Sequence, residues 1–139
     1  MTSIEEALEG STPLARKVAA GGPYKSAAEL VERMRAVIPA LTEEEKIATL
    51  NAHPRIGEDP GRLSARSLKE QGSEVLPELE LLNAEYERRF GFRFVVFVAG
   101  RPKSEIVEVL KKRLQRSRDE EMAEGLRAIV AIAEDRLRT

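Results

Sequence analysis

The chain has 139 residues, of which 42% are hydrophobic and 34% charged, and this predicts a single globular domain over residues 1–139. A net charge of −1 gives no reason to expect nucleic acid as a partner, and no apolar run approaches the ~20 residues of a membrane span. The absence of cysteine excludes a disulfide scaffold and a thiolate nucleophile, and it fits a reducing cytoplasm.

Helix-capping residues and helix breakers divide the first half of the chain into four predicted helices. These helices begin at or just after Ser3, Pro13, Ser26 and Thr42, and they end near Gly10, Gly21, Pro39 and Asn51. Glu45 follows Thr42 by three residues, which is the spacing of a capping box. Residues 54–63 contain two prolines and two glycines and are predicted to form a loop.

The second half is predicted to contain a short helix that ends near Gly72, followed by three longer helices. The longer helices are expected from Pro77 to Gly91, from Pro102 to Arg116 and from Ser117 to about Arg138. Apolar side chains recur every three or four residues along each of them, so each buries one face. The sequence therefore predicts an all-α fold, a compact single-domain helical bundle.

One apolar segment does not fit the helical pattern. It consists of Phe94, Val95, Val96, Phe97 and Val98. Its composition is typical of a buried strand, yet no second run in the sequence could pair with it. We therefore expect a buried extended segment near residues 93–98, with backbone groups that find partners in side chains, water or a ligand.

His53 is the only histidine, and without cysteine it is the only side chain that ordinarily titrates between about pH 5 and 8. Pro54 disfavours a helical conformation for His53, which places the imidazole where a helix ends and a constrained loop begins. This position makes His53 a candidate for acid–base chemistry. The alternative is an ordinary helix-terminal residue. A metal site is not expected, because zinc or iron usually requires several His or Cys ligands.

Ser67 and Glu70 allow two interpretations. In the first, Ser67 caps a helix and Glu70 completes the capping box. In the second, Ser64 caps the helix, and Ser67, Glu70 and Gln71 lie on one helical face where they could hold a polar heterocycle. The spacing alone favours the cap at Ser67.

Two groups of basic residues are further candidates. Lys111, Lys112, Arg113, Arg116 and Arg118 form a cluster flanked by acidic residues, which is more typical of a salt-bridged helix surface than of a nucleic-acid site. Arg136 lies near the end of the last helix. Its spacing from Ile132 places it at the edge of the buried face, whereas Arg138 should point away.

The motifs His53-Pro54-Arg55-Ile56-Gly57 and Ser67-Leu68-Lys69-Glu70-Gln71 resemble those of one family. Residues 82–92 read LNAEYERRFGF and match its Leu-Asn-x-x-Tyr-x-x-Arg-Phe-Gly-Phe signature. The family is the 2-oxo-4-hydroxy-4-carboxy-5-ureidoimidazoline (OHCU) decarboxylases of urate breakdown, and the likeness covers residues from about 11 to 138. Arg93 departs from the pattern, since proline is common there.

The resemblance implies an all-α homodimer that needs no metal or organic cofactor and converts OHCU to (S)-allantoin with release of CO2. It assigns acid–base chemistry and proton donation to His53. Glu70 is expected to orient or polarise the substrate and to keep His53 in the state that the reaction needs. The implied substrate-binding residues are Pro54, Ser67, Gln71, the backbone of Phe94, Val95, Val96, Phe97 and Val98, and Arg136 for a carboxylate. Two other hypotheses remain: a helical interaction module that has lost catalysis, and a nucleic-acid-binding domain that uses the cluster around Lys111.

Overall fold

The computed structural model describes residues 2–57, 64–71 and 76–138, without the side chains at positions 68 and 71. The described residues contain eight α-helices and no strand, so the predicted all-α class is confirmed. The helices are α1 (Ile4–Ala7), α2 (Pro13–Ala20), α3 (Ala27–Val37), α4 (Glu43–Asn51), α5 (Ala65–Gln71), α6 (Pro77–Phe90), α7 (Lys103–Arg113) and α8 (Arg118–Leu137). A 3₁₀ turn, Ile38–Ala40, follows α3.

The predicted helix starts are confirmed by their hydrogen bonds. The side chains of Ser3, Thr42 and Ser117 each accept a hydrogen bond from the backbone three residues later, and a glutamate there completes each capping box. Gly91 ends α6 with a φ of 83°, and its N–H donates to the carbonyl of Glu87. That left-handed conformation favours glycine because it has no Cβ.

Helix α8 lies at the centre of the bundle. It packs against α1, α3 and α4, while α2 packs against α3 and α4. Gly125 allows the close approach of α4, because a Cβ at that position would lie 2.8 Å from Leu50 Cδ2. This packing brings the end of α8, which carries Arg136, to the side of the bundle where α1 ends.

The apolar segment between α6 and α7 is mostly buried, as predicted, and it forms neither helix nor strand. Arginine side chains bind several of its carbonyl oxygens. Arg113 Nη1 donates to the carbonyl of Val95 over 2.9 Å, and Arg101 donates to the carbonyls of Phe97 and Val98. The expectation that side chains would satisfy part of this backbone is therefore confirmed.

A buried ion pair anchors the segment to the bundle. Arg113 Nε donates to Glu121 Oε1 over 2.7 Å, and the Tyr86 hydroxyl donates to the same oxygen over 2.7 Å. The Arg113 guanidinium also lies 4.7 Å from the centre of the Phe94 ring. Burial and the hydrogen bond to Glu121 raise the pKa of Tyr86, so its hydroxyl remains a donor.

The predicted basic surface cluster is only partly correct. The side chain of Arg113 is 8% exposed and belongs to the buried pair, because Glu121 faces it from α8. Other members form exposed ion pairs: Lys111 with Glu78 and Glu108, Arg116 with Glu120 and Glu124, and Arg118 with Glu43. None of the helices in the described ranges is long and apolar enough to cross a membrane.

Candidate active site

A cavity of about 490 Å³ lies between α5, the apolar segment of residues 94–98 and the end of α8. Its lining contains most of the residues proposed from the sequence: Pro54, Ser67, Glu70, Phe94, Val95, Val96, Phe97, Val98 and Arg136. Its size falls within the range of small-molecule sites. The structure thus brings together residues that are up to 82 positions apart in the chain, from Pro54 to Arg136.

The loop that carries His53 is held from two sides. The Asn83 side chain donates to the carbonyl of Ile56 over 2.8 Å, and Arg55 forms two hydrogen bonds to the carboxylate of Glu87. Arg93 donates to the carbonyl of His53 over 3.1 Å. The LNAEYERRFGF stretch therefore fixes this loop through Asn83 and Glu87, and the departure at Arg93 supplies a further contact.

His53 is buried, with 3% of the residue exposed, and it is not among the described residues that line the cavity. Neither ring nitrogen has a side-chain hydrogen-bond partner within the described part of the chain, and a backbone contact with Thr49 favours the protonated ring. Burial lowers the pKa of His53 to about 4, the nearby charge of Glu9 opposes this shift, and the charge of Arg136 adds to it. The imidazole is therefore neutral at pH 7.

This pKa predicts that His53 makes stability depend on pH. The unfolded chain protonates His53 near pH 6.5 and the folded chain only near pH 4, so the free energy of unfolding should decrease as the pH falls through that interval. His53→Asn lacks this titration and should show a smaller decrease. Urea denaturation of both proteins from about pH 7 to about pH 4 measures the difference. Identical pH dependence would show that His53 has the same pKa folded and unfolded.

The start of α5 decides between the two interpretations of Ser67. Ser67 N–H donates to Ser64 Oγ over 3.1 Å, so Ser64 caps the helix. The favoured interpretation, a capping box at Ser67 and Glu70, is wrong. Both residues instead line the cavity, and both side chains are hydrogen-bonded to Arg136. The side chain of Gln71 lies outside the described residues, so its proposed role stays a prediction.

Arg136 is 2% exposed and binds two carboxylates. Its Nε and Nη2 donate to the two oxygens of Glu70 over 3.0 and 2.8 Å, and Nη2 also donates to Glu9 Oε1 over 2.8 Å. Glu70 therefore pairs with Arg136, and the expected contact between Glu70 and His53 is not among the described hydrogen bonds. Arg138 is exposed and lies 3.7 Å from Glu134, which confirms the predicted faces of α8.

The sequence analysis missed the cavity-lining residues Arg66, Lys69 and Asp135, and it missed Glu9, which binds the site residue Arg136. Glu9 Oε1 accepts hydrogen bonds from Ser64 and Ser67 in addition to Arg136. In the sequence Glu9 precedes a helix-ending glycine and has no distinguishing pattern. The described residues contain no group of three or more His, Cys, Asp or Glu side chains arranged to hold a metal ion.

Comparison with known proteins identifies the family. A family model described as OHCU decarboxylase matches residues 1–138. The chain belongs to this family. An OHCU decarboxylase from Haloferax volcanii is 31% identical over 140 residues, which cover 95% of this chain and 83% of that protein.

Other family members differ in overall length. A uric acid degradation bifunctional protein of Bacillus subtilis is 33% identical over 93% of this chain, which spans only 28% of that protein. A crystal structure of an OHCU decarboxylase in the presence of (S)-allantoin superposes with a TM-score of 0.77 at 22% identity, covering 98% of this chain and 96% of the other. This structural similarity shows that the chain has the fold of that enzyme.

Proposed function

We propose that this chain catalyses the decarboxylation of OHCU to (S)-allantoin in urate breakdown, without a metal or organic cofactor. The observation that carries the proposal is one cavity whose described lining contains nine of the eleven residues to which the family resemblance assigns a role, all but His53 and Gln71. The family match over residues 1–138 supports the same conclusion.

The substrate's own chemistry explains how such a reaction could proceed. The carbon–carbon bond to the carboxylate breaks, and its electron pair moves towards the adjacent C=N bond and onto the ring nitrogen. The ring nitrogen and the carbon that bears the ureido group each gain a proton, while the ring hydroxyl loses one and becomes a carbonyl. One proton is therefore consumed for each CO2 released. The substrate acts as its own electron sink, a task that a cofactor performs in many other decarboxylases.

In this proposal His53 handles protons and delivers one of them to a single face of the ureido-bearing carbon. Its neutral state at pH 7 means that it accepts a proton before it donates one. Glu70 orients the substrate, and Ser67 and Gln71 bind its polar groups. Pro54 shapes the wall of the cavity.

Arg136 would bind the substrate carboxylate through its planar guanidinium. Arg136 already donates two hydrogen bonds to Glu70. An incoming substrate carboxylate would therefore replace Glu70 as the acceptor of one or both of them. The backbone of residues 94–98 would bind substrate amide groups. The carbonyls of Val95, Phe97 and Val98 already accept hydrogen bonds from arginines, so the substrate would bind other backbone groups of this segment.

The proposal is tested by the rate of CO2 release from freshly generated OHCU. The protein should accelerate release well above the spontaneous rate, in proportion to its concentration. A rate equal to the spontaneous one would favour the alternative of an interaction module that has lost catalysis. A DNA-retention assay tests the nucleic-acid hypothesis, which the ion pairs around Lys111 do not favour.

We also propose that the chain acts as a homodimer in the cytoplasm. The family resemblance supports the dimer, and the absence of cysteine fits the compartment. Light scattering at micromolar concentrations should give about twice the 15.5 kDa of one chain. A mass of 15.5 kDa over the whole concentration range would contradict the dimer.

A further inference from the structure

Glu9 has a backbone conformation that its side chain does not favour. Its φ is 60°, in the left-handed region, and Gly10 follows with a φ of 116°. Glycine would adopt the conformation of Glu9 without strain, whereas glutamate adopts it at a cost. Strained residues of this kind concentrate at functional sites, so the strain at Glu9 points to a role for its side chain.

The Glu9 carboxylate joins three parts of the fold. Its side chain is 11% exposed, and Oε1 accepts hydrogen bonds from Ser67 Oγ over 2.6 Å, Arg136 Nη2 over 2.8 Å and Ser64 Oγ over 3.0 Å. Burial raises the pKa of Glu9, but these hydrogen bonds and the charge of Arg136 outweigh that effect and keep the pKa below its ordinary value. Glu9 is therefore ionised at neutral pH.

The two carboxylates on Arg136 are not equivalent. Glu70 lines the cavity and its side chain is 26% exposed, whereas Glu9 is not among the described lining residues. Arg136 Nη1 also donates to the carbonyl of Glu6, in α1, over 2.9 Å. The end of α1 thus holds the guanidinium on one side, while Glu70 meets it in the cavity wall.

We infer that Glu9 is a positioning residue, which holds the Arg136 guanidinium and the Ser67 hydroxyl for the substrate. This inference rests on the proposed function. When a substrate carboxylate replaces Glu70 on Arg136, Glu9 remains bound and keeps the guanidinium in place. The negative charge of Glu9 also favours the imidazolium, so it partly opposes the lowering of the His53 pKa by burial.

The test compares Glu9→Gln with the wild-type protein. Glutamine keeps the size and an accepting oxygen but removes the charge, so kcat/KM should fall by between about 10-fold and 100-fold through misplacement of Arg136 and Ser67. The limb of the pH–rate profile that reports His53 should also move to lower pH, an effect that a merely structural role would not produce. Glu5→Gln is the matched control, since Glu5 is an exposed residue of α1, the helix that ends just before Glu9.

Two further variants separate charge from folding. Glu9→Asp keeps the charge but shortens the side chain. Compared with Glu9→Gln, its pH profile should be close to that of the wild type, whereas its kcat/KM should recover less. Glu9→Gly removes the carboxylate at a position where glycine is favoured, so it should fold and still lose activity. If Glu9→Gln has the wild-type kcat/KM and an unshifted pH profile, the inference about Glu9 is wrong while the proposed function stands. A wild-type protein without turnover would overturn the proposed function and, with it, this inference.

Discussion

Replacing His53 with asparagine is expected to lower the rate of OHCU decarboxylation by about 10²–10⁴-fold, the usual contribution of a general acid–base residue. His53 is the only histidine, its ring nitrogens have no side-chain hydrogen-bond partner within the described residues, and its imidazole is neutral at pH 7. A neutral imidazole can accept one proton and return it to carbon. Asparagine keeps a polar planar group but cannot do either near neutral pH.

The His53→Asn protein should fold normally, because the main-chain contacts of the loop do not depend on the imidazole. Arg93 binds the carbonyl of His53, and Asn83 binds the carbonyl of Ile56. Circular dichroism and thermal melting on the sample used for kinetics provide the control. A folded variant that decarboxylates at the wild-type rate would remove His53 from the mechanism.

Arg136→Lys is expected to reduce kcat/KM at least about tenfold, although the charge is conserved. Lysine cannot reproduce the paired hydrogen bonds of Nε and Nη2 to Glu70 while also binding Glu9 and the carbonyl of Glu6. Because the side chain is buried, we also expect a loss of roughly 2–4 kcal/mol in the free energy of unfolding.

Arg138→Lys is the matched control for Arg136→Lys. Arg138 lies two residues further along the chain, its side chain is 69% exposed, and it lies 3.7 Å from Glu134. Exposed ion pairs contribute little, so both activity and stability should stay near wild type. Both variants should be compared at one ionic strength. Damage in Arg138→Lys alone would mean that the wrong arginine has been assigned, and damage in neither would place the substrate carboxylate elsewhere.

The helices could be predicted from the sequence because their signals are local. Thr42 and Glu45, for example, form a capping box whose hydrogen bonds involve residues only three positions apart. The faces of α8 were predictable for the same reason. Helical periodicity alone separates Arg136, which is buried, from Arg138, which is exposed.

The remaining features depend on contacts between distant residues. Ser64 and Ser67 are both acceptable caps, and the structure shows Ser67 bonded to Glu9, 58 positions away. Arg113 belongs to a basic run in the sequence, and only the packing of α7 on α8 shows that it is buried against Glu121. The role of Glu9 depends on Arg136, 127 positions away. No local pattern contains that information.

The most direct test of the account is the handedness of the allantoin that forms from urate. Urate is treated with urate oxidase, with the hydrolase whose product is OHCU, and with this protein. The spontaneous reaction can protonate either face of the ureido-bearing carbon, whereas a proton delivered from a fixed position reaches only one. We predict that circular dichroism of the product will show (S)-allantoin in large excess as soon as it forms. Racemic allantoin, formed no faster than without the protein, would contradict the account.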